Sequence, residues 1–292
     1  MNHAKQTWEL IKAAFSVDGY YHALNVSLKR LNGEYTMLHY PLYVSDNDSF
    51  FQAQKNLTDR CIAMMDSLEG KRVLEIGCGN GIQSIYLKLT YGIEHITGID
   101  LNHANIHIAH TEKERRMITG IDFRQDNAQE LRSVESNSLD YVVNIESAFH
   151  YPDKKAFLEQ VHRVLKPGGQ FVIADLLMKK PKGRFWRKFW ENRISLKHWN
   201  ELQYLEAIPQ AGLSLKKTSD ITTDVIKGFL LYPLWLKDMQ KKNFIGDMMF
   251  RIFYRINLKL YIFLLRKKRL YMVFAGEKKV DDKTGQQNAC AV

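Results

Sequence analysis

Residues 73–81 read VLEIGCGNG, which places Gly77, Gly79 and Gly81 at alternate positions directly behind a short apolar run. No other stretch limits the fold as strongly. The chain must leave a buried strand, turn sharply and enter a helix near Ile82, and glycine permits the positive φ and the close backbone approach that this requires. The GxGxG spacing differs from the GxGxxG of dinucleotide sites. Glu75, inside the strand, is a carboxylate suited to a cationic amino acid and poorly placed beside a pyrophosphate. Taken alone, the loop also reads as a structural turn without a ligand.

From residue 72 onward short apolar runs alternate with helical stretches, the pattern of a parallel sheet covered on both faces. Strands are expected at Arg72–Gly77, His95–Asp100, Ile121–Asp126, Leu139–Glu146, Gln170–Leu176, Ser214–Thr222 and Leu270–Lys278. Helices are expected at Ile82–Tyr91, Asn102–Met117 and Asp153–Leu165, the last stopped by Lys166-Pro167-Gly168-Gly169. With 292 residues, 45% of them hydrophobic, one enlarged α/β domain is expected.

In such sheets ligands bind beyond the carboxyl ends of the strands. The first strand ends at Glu75 and the glycine loop. The second ends at Asp100, whose two oxygens match both hydroxyls of a ribose, and the third at Asp126, placed to accept from an exocyclic adenine amine. The fourth ends at Asn144 and Glu146, beneath the reacting end of such a ligand. Each of these groups alone also reads as a helix cap or a solvent-facing acid. Four at successive strand ends point to one ligand.

Charge is unevenly spread. Lys179 to Arg269 holds 21 Lys and Arg against 7 Asp and Glu, whereas the rest of the chain holds 21 against 25. Aromatic residues crowd the same half, as in Phe185-Trp186-Arg187-Lys188-Phe189-Trp190. Such a surface suits phosphate or anionic lipid, or is a solvated face over a lid. Between Asp247 and Leu265 the charged residues Asp247, Arg251, Arg255 and Lys259 recur every four positions. They leave a broad apolar face of Met248, Phe253, Ile256, Leu260, Phe263 and Leu264. That pattern fits a half-buried lid helix or one lying in a membrane interface, and its charges argue against spanning a bilayer. Cys61, Cys78 and Cys290 lack CxxC spacing and the first twenty residues lack a signal-peptide core. No metal site is expected, and the expected location is cytoplasmic, with peripheral contact to anionic membrane.

Taken together, VLEIGCGNG, HITGIDLN, FRQDNAQEL, DYVVNIESAFHYPD and VHRVLKPGGQFVIADL resemble the class I S-adenosylmethionine-dependent methyltransferases over roughly residues 35–278. Leu38-His39-Tyr40-Pro41-Leu42-Tyr43, similar to an MHxGxY element, together with Glu146-Ser147-Ala148-Phe149-His150 and the late hydrophobic insertion, resembles the sterol, tocopherol and phthiotriol-lipid branch. Pro41 departs from the glycine usual there. The resemblance implies a Rossmann-like, mostly parallel seven-stranded sheet with helices on both faces and an antiparallel last strand. It also implies an N-terminal helical cap (1–60), a cofactor-binding core (61–178) and an acceptor-binding region with a helical insertion before the last strand (179–279), while the remaining 280–292 reads from its composition as a disordered tail. S-adenosylmethionine is the implied cofactor. Glu75 with Gly77, Cys78, Gly79 and Gly81 would hold its methionine part, Asp100 the ribose, Asp126 and Asn127 the adenine, and the Asn144 carbonyl its amino group, with Leu101 also among the cofactor-binding residues. Tyr40 or Tyr43 would close over the cofactor, and Phe149 would face the acceptor.

A sulfonium methyl is already activated, so alignment of the acceptor, worth roughly 7 kcal/mol of barrier, outranks a general base, worth ~10²–10⁴-fold. His150 is the candidate base, and Glu146 would orient it or stabilise positive charge. The expected reaction is O-methylation of a small hydrophobic lipid-, isoprenoid- or polyketide-like acceptor; C-methylation of an alkene or quinol ring is the alternative. A nucleic-acid methyltransferase is disfavoured because Asn144-Ile145-Glu146-Ser147 stands where a polar-Pro-Pro-aromatic element would accept a flipped base. A non-catalytic binding protein would have no need of Glu75, Asp100 and Asp126. The oligomeric state is not readable from the sequence.

Overall fold

A computed structural model describes residues 17–180, 197–238 and 244–280. Its strands are β1 Arg72–Ile76, β2 His95–Asp100, β3 Ile121–Gln125, β4 Leu139–Ile145, β5 Leu165–Met178, β6 Leu213–Asp220 and β7 Arg269–Lys278. They form one sheet in the order β3-β2-β1-β4-β5-β7-β6. β1 to β5 pair in parallel, while β7 lies antiparallel between β5 and β6. The mostly parallel α/β sheet with a reversed last strand agrees with the sequence reading.

The central strands are mostly apolar because helices cover both faces, with Glu75 and Asn144 as buried polar exceptions. Val73 and Val143 enter one core layer, and Leu74, Ile76 and Val142 the other. Before β1 come α1 (Val17–Asn32) and α2 (Phe50–Ile62); α3 (Ile82–Thr90) and α4 (His103–Arg115) follow β1 and β2. α5 (Lys154–Val164) buries Phe157, Leu158, Val161 and Val164 at one-face helical spacing, starting from an Asp153 cap that accepts two backbone amides at 3.0 Å. α6 (Glu201–Gln210) packs on the same face, with a capping box between Asn200 and Gln203. The expected insertion before the last strand is the pair α7 (Thr222–Asp238) and α8 (Phe244–Lys267).

One boundary differs by more than two residues. β5 begins five residues earlier than the expected Gln170, so Lys166-Pro167-Gly168-Gly169 lies within it. The pairing steps from Leu139 with Leu165 to Tyr141 with Gln170. The turn residues are absorbed as an irregularity, with Gly168 at φ 76°, while the strand keeps its direction. Residues 1–16 of the expected cap, the aromatic run at 185–190 and the expected tail after Val280 lie outside the described residues. Among the described residues no helix is long and apolar enough to cross a membrane.

Candidate active site

β1 lies between β2 and β4, so successive connections leave it in opposite directions and open a crevice at the carboxyl ends of the two strands. The cavity there is walled by Gly77, Cys78 and Gly79, by Asp100 and Leu101 after β2, by Asp126 and Asn127 after β3, and by Glu146 and His150 after β4. The structure thus brings most of the residues singled out from sequence onto one wall.

Backbone bonds shape the glycine loop. The Gly77 and Cys78 amides both donate to the Ile99 carbonyl at 2.8 Å, and the Gly79 amide donates to Asp100 Oδ2 at 2.9 Å. The other Asp100 oxygen accepts from the Asn102 amide at 2.8 Å. Burial pushes the Asp100 carboxyl above the usual carboxylate range. Asp126 is held differently. Its oxygens accept from the Asn127 amide at 2.7 Å and from the Ser133 amide and hydroxyl at 2.8 and 2.6 Å. Against the effect of burial, those bonds keep its pKa below the ordinary range. The carboxylate therefore fixes the 126–133 loop, whose Asn127 faces the cavity.

Six of the singled-out residues are not on this wall. Glu75 is buried beneath the loop and accepts a hydrogen bond from the Ser84 hydroxyl of α3, because its strand position points it into the sheet's helical cover. Burial raises its pKa to about 8. Gly81 packs instead against Ala109 and Phe123, where a Cβ would come within 2.6 and 2.7 Å. Asn144 sits behind the wall, its amide donating to the Ile76 carbonyl at 2.9 Å. The Tyr40 ring turns away to pack on Phe229, Tyr261 and Tyr271, and Tyr43 lies beside Gly228 of α7. Phe149 packs at tilted angles against His150 and His198.

Other residues on the wall were not singled out from the sequence. Tyr21, on α1, has its hydroxyl 2.8 Å from His150 Nε2. α1 is latched over the crevice by Asn25, whose amide donates to Asn105 and whose oxygen accepts from Asn80 of the glycine loop, at 2.9 and 2.8 Å. Gln83, in the first turn of α3, lines the cavity, and its Nε2 is buried without a hydrogen-bond partner. Residues 129 positions apart leave no spacing signal, so only the fold reveals the Tyr21–His150 pair.

Glu146 has φ 53°, a left-handed backbone that a non-glycine residue adopts at a cost of roughly 1–2 kcal/mol. Its Oε1 accepts from the Tyr40 amide at 2.8 Å and from the Tyr271 hydroxyl at 2.9 Å. Burial raises its pKa from the ordinary 4.5 to about 8, so the native state keeps a proton that the unfolded chain releases. Stability from this group is therefore full below about 4.5 and falls as pH rises toward 8, by up to about 1.4 kcal/mol per pH unit. Glu146→Gln keeps the acceptor oxygen and cannot titrate. Urea unfolding between pH 5 and 8 is expected to show a flatter decline for this variant, with the remainder due to the other buried carboxyls whose pKa burial raises, Glu75, Asp100 and Asp175. An unaltered slope would mean that Glu146 is ionised in the native state.

A methyltransferase-domain family model matches residues 74–173. A phthiotriol/phenolphthiotriol dimycocerosates methyltransferase of Mycobacterium tuberculosis is 33% identical over 196 residues, 66% of this chain and 68% of that protein. The chain belongs to the class I S-adenosylmethionine-dependent methyltransferases. S-adenosylmethionine is the cofactor of this methyltransferase. A fatty-acid O-methyltransferase of Mycolicibacterium smegmatis is 39% identical over 132 residues, 45% of this chain and 46% of that protein. A probable phthiotriol/phenolphthiotriol dimycocerosates methyltransferase of Mycobacterium ulcerans is 43% identical over 121 residues. The methyltransferase matches 45% of that relative's length and 41% of its own. Among solved structures, a putative sarcosine dimethylglycine methyltransferase from Galdieria sulphuraria superposes with TM-score 0.74 at 18% identity, covering 87% of this chain and 98% of that one. A geranyl diphosphate C-methyltransferase from Streptomyces coelicolor gives TM-score 0.70 at 16% identity, covering 90% and 96%. These two likenesses are of fold.

Proposed function

We propose that this methyltransferase transfers a methyl group to the hydroxyl of a small hydrophobic acceptor, lipid-, isoprenoid- or polyketide-like. The bound donor supplies an already activated sulfonium methyl. The chain supplies position, exclusion of water and a proton acceptor.

The wall fits the donor. Gln83 Nε2, an unsatisfied buried amide at the start of α3, suits the carboxylate of an amino acid, which also gains from the helix N-terminus. Gly77 to Gly79 allow the close approach, Asp100 suits the ribose hydroxyls, and the exposed Leu101 side chain with Asn127 suits the adenine. Gln83→Ala is expected to weaken S-adenosylmethionine binding roughly 10–100-fold, the value of one hydrogen bond to a charged group. Calorimetric titration measures it, and undiminished affinity would remove Gln83 from the donor site.

The observation carrying the hydroxyl reading is the Tyr21–His150 pair, which shares the cavity with the glycine loop. Burial, with Asp100 and Glu146 nearby, raises the Tyr21 pKa, so its hydroxyl stays protonated, and in the His150 tautomer that carries its proton on Nδ1 it donates to Nε2. An acceptor hydroxyl entering here gives up its proton to Nε2, directly or through the Tyr21 oxygen, as its oxygen takes the methyl. The alternative alkene chemistry needs an anionic group to stabilise a carbocation. Glu146, neutral up to about 8, serves that poorly. The relatives named for phthiotriol dimycocerosates and fatty acids support a lipid-like acceptor. Incubation with labelled S-adenosylmethionine and a lipid extract, followed by mass spectrometry, is expected to give a methyl ether. Label on carbon alone would overturn the O-methylation reading.

A further inference from the structure

We propose that the outward face of α8 docks on the surface of an anionic phospholipid bilayer. The inference rests on the hydrophobic-acceptor reading for its purpose, and on the helix itself for the contact. Ile256, Leu260 and Phe263 are 62%, 50% and 53% exposed, whereas Leu258 and Leu265 on the opposite face are 6% and 2% exposed. At about 100° per residue, Arg255, Lys259 and Arg266 share one flank of the exposed stripe and Phe263, Ile256 and Leu260 the other, with Lys267 among them. No acid occurs from Met248 to Gly276, so the stripe and the Arg266-Lys267-Lys268-Arg269 run behind it carry only positive charge.

Exposed apolar side chains beside cations match a surface that offers anionic headgroups above hydrocarbon. A phosphate-only partner such as RNA would leave the three apolar groups in water. An isologous second copy would set cations against cations. The inner face of the same helix reaches the site: Tyr261 packs on Tyr40 at 5.7 Å between ring centroids, and the Tyr40 amide donates to Glu146. A lipid acceptor could then pass from bilayer to crevice along one helix without crossing water.

The test is co-sedimentation of the full chain with phosphatidylcholine vesicles, with and without phosphatidylglycerol. Binding is expected only to the anionic vesicles and should weaken with salt. Arg255→Gln with Lys259→Gln should lower it roughly 20-fold, and Leu260→Ser with Phe263→Ser by at least about 10-fold. Because all four side chains face away from the cavity, melting temperature and turnover on a detergent-dispersed acceptor should stay as in the parent. Sedimentation needs no turnover, so a failed acceptor assignment cannot mimic a failed docking. Equal binding to neutral vesicles, unchanged binding of either variant, tighter retention on duplex RNA, or a dimer dissolved by Phe263→Ser would overturn the proposal.

Discussion

His150→Ala is expected to slow methylation of a hydroxyl acceptor by about 10²–10⁴-fold while leaving S-adenosylmethionine affinity within about twofold, since a general base acts on the acceptor's proton and not on the donor. The imidazole is held on the 3₁₀ turn Ala148–His150, with Nε2 facing Tyr21. Tyr21→Phe removes one hydrogen bond and should cost less, roughly 10-fold. A loss caused by disturbing the turn is separated by His150→Gln, which preserves a partner for Tyr21 but no basicity. If the base matters, His150→Gln is as slow as His150→Ala, whereas a loss caused by the disturbed turn alone would leave His150→Gln close to the parent. Unchanged turnover across pH in His150→Ala would leave alignment alone as the source of rate and remove the observation on which the hydroxyl reading stands.

What the sequence revealed and what it withheld divide along a physical line. Strand ends are local: an apolar or alternating run closed by Asp100, Asp126 or Glu146 declares both its strand and the group at the crevice mouth. Side-chain direction at those ends is not local. Glu75 and Gly77 are two residues apart, yet one faces Ser84 under the loop and the other the cavity. Tyr40 is linked to the site through its backbone amide on Glu146, while its ring belongs to the α7–α8 packing. Tyr21, Asn25 and Gln83 were invisible for a different reason. They sit on helices whose faces become meaningful only when α1 lies across the sheet and the Asn25–Asn80–Asn105 bonds draw it onto the glycine loop.

Gly77→Ala is expected to destabilise the fold by several kcal/mol and to abolish measurable S-adenosylmethionine binding. Two independent causes add. At φ 75° an alanine pays roughly 1–2 kcal/mol for the left-handed backbone, and its Cβ would fall 2.4 Å from Ser147 Cβ and 2.3 Å from Ser147 Oγ. Ser147 cannot swing aside cheaply, because its hydroxyl bonds the Ile76 carbonyl at 3.1 Å and the Tyr151 hydroxyl at 2.8 Å. Relief must come from the loop, at roughly 1–3 kcal/mol for an overpacked site, and a shifted loop loses the paired Gly77 and Cys78 amides on Ile99. Gly79→Ala is the contrast: at φ 54° it pays the same backbone strain, but its Cβ meets only the Leu38 Cδ1 tip at 2.8 Å, which can move. Gly79→Ala should therefore fold and bind the cofactor more weakly, not fail. Adding Ser147→Gly to Gly77→Ala opens the space without removing the strain, so thermal melts and cofactor titration should show a partial recovery. Full binding by Gly77→Ala alone would mean that the loop lies further from the donor than the cavity geometry requires.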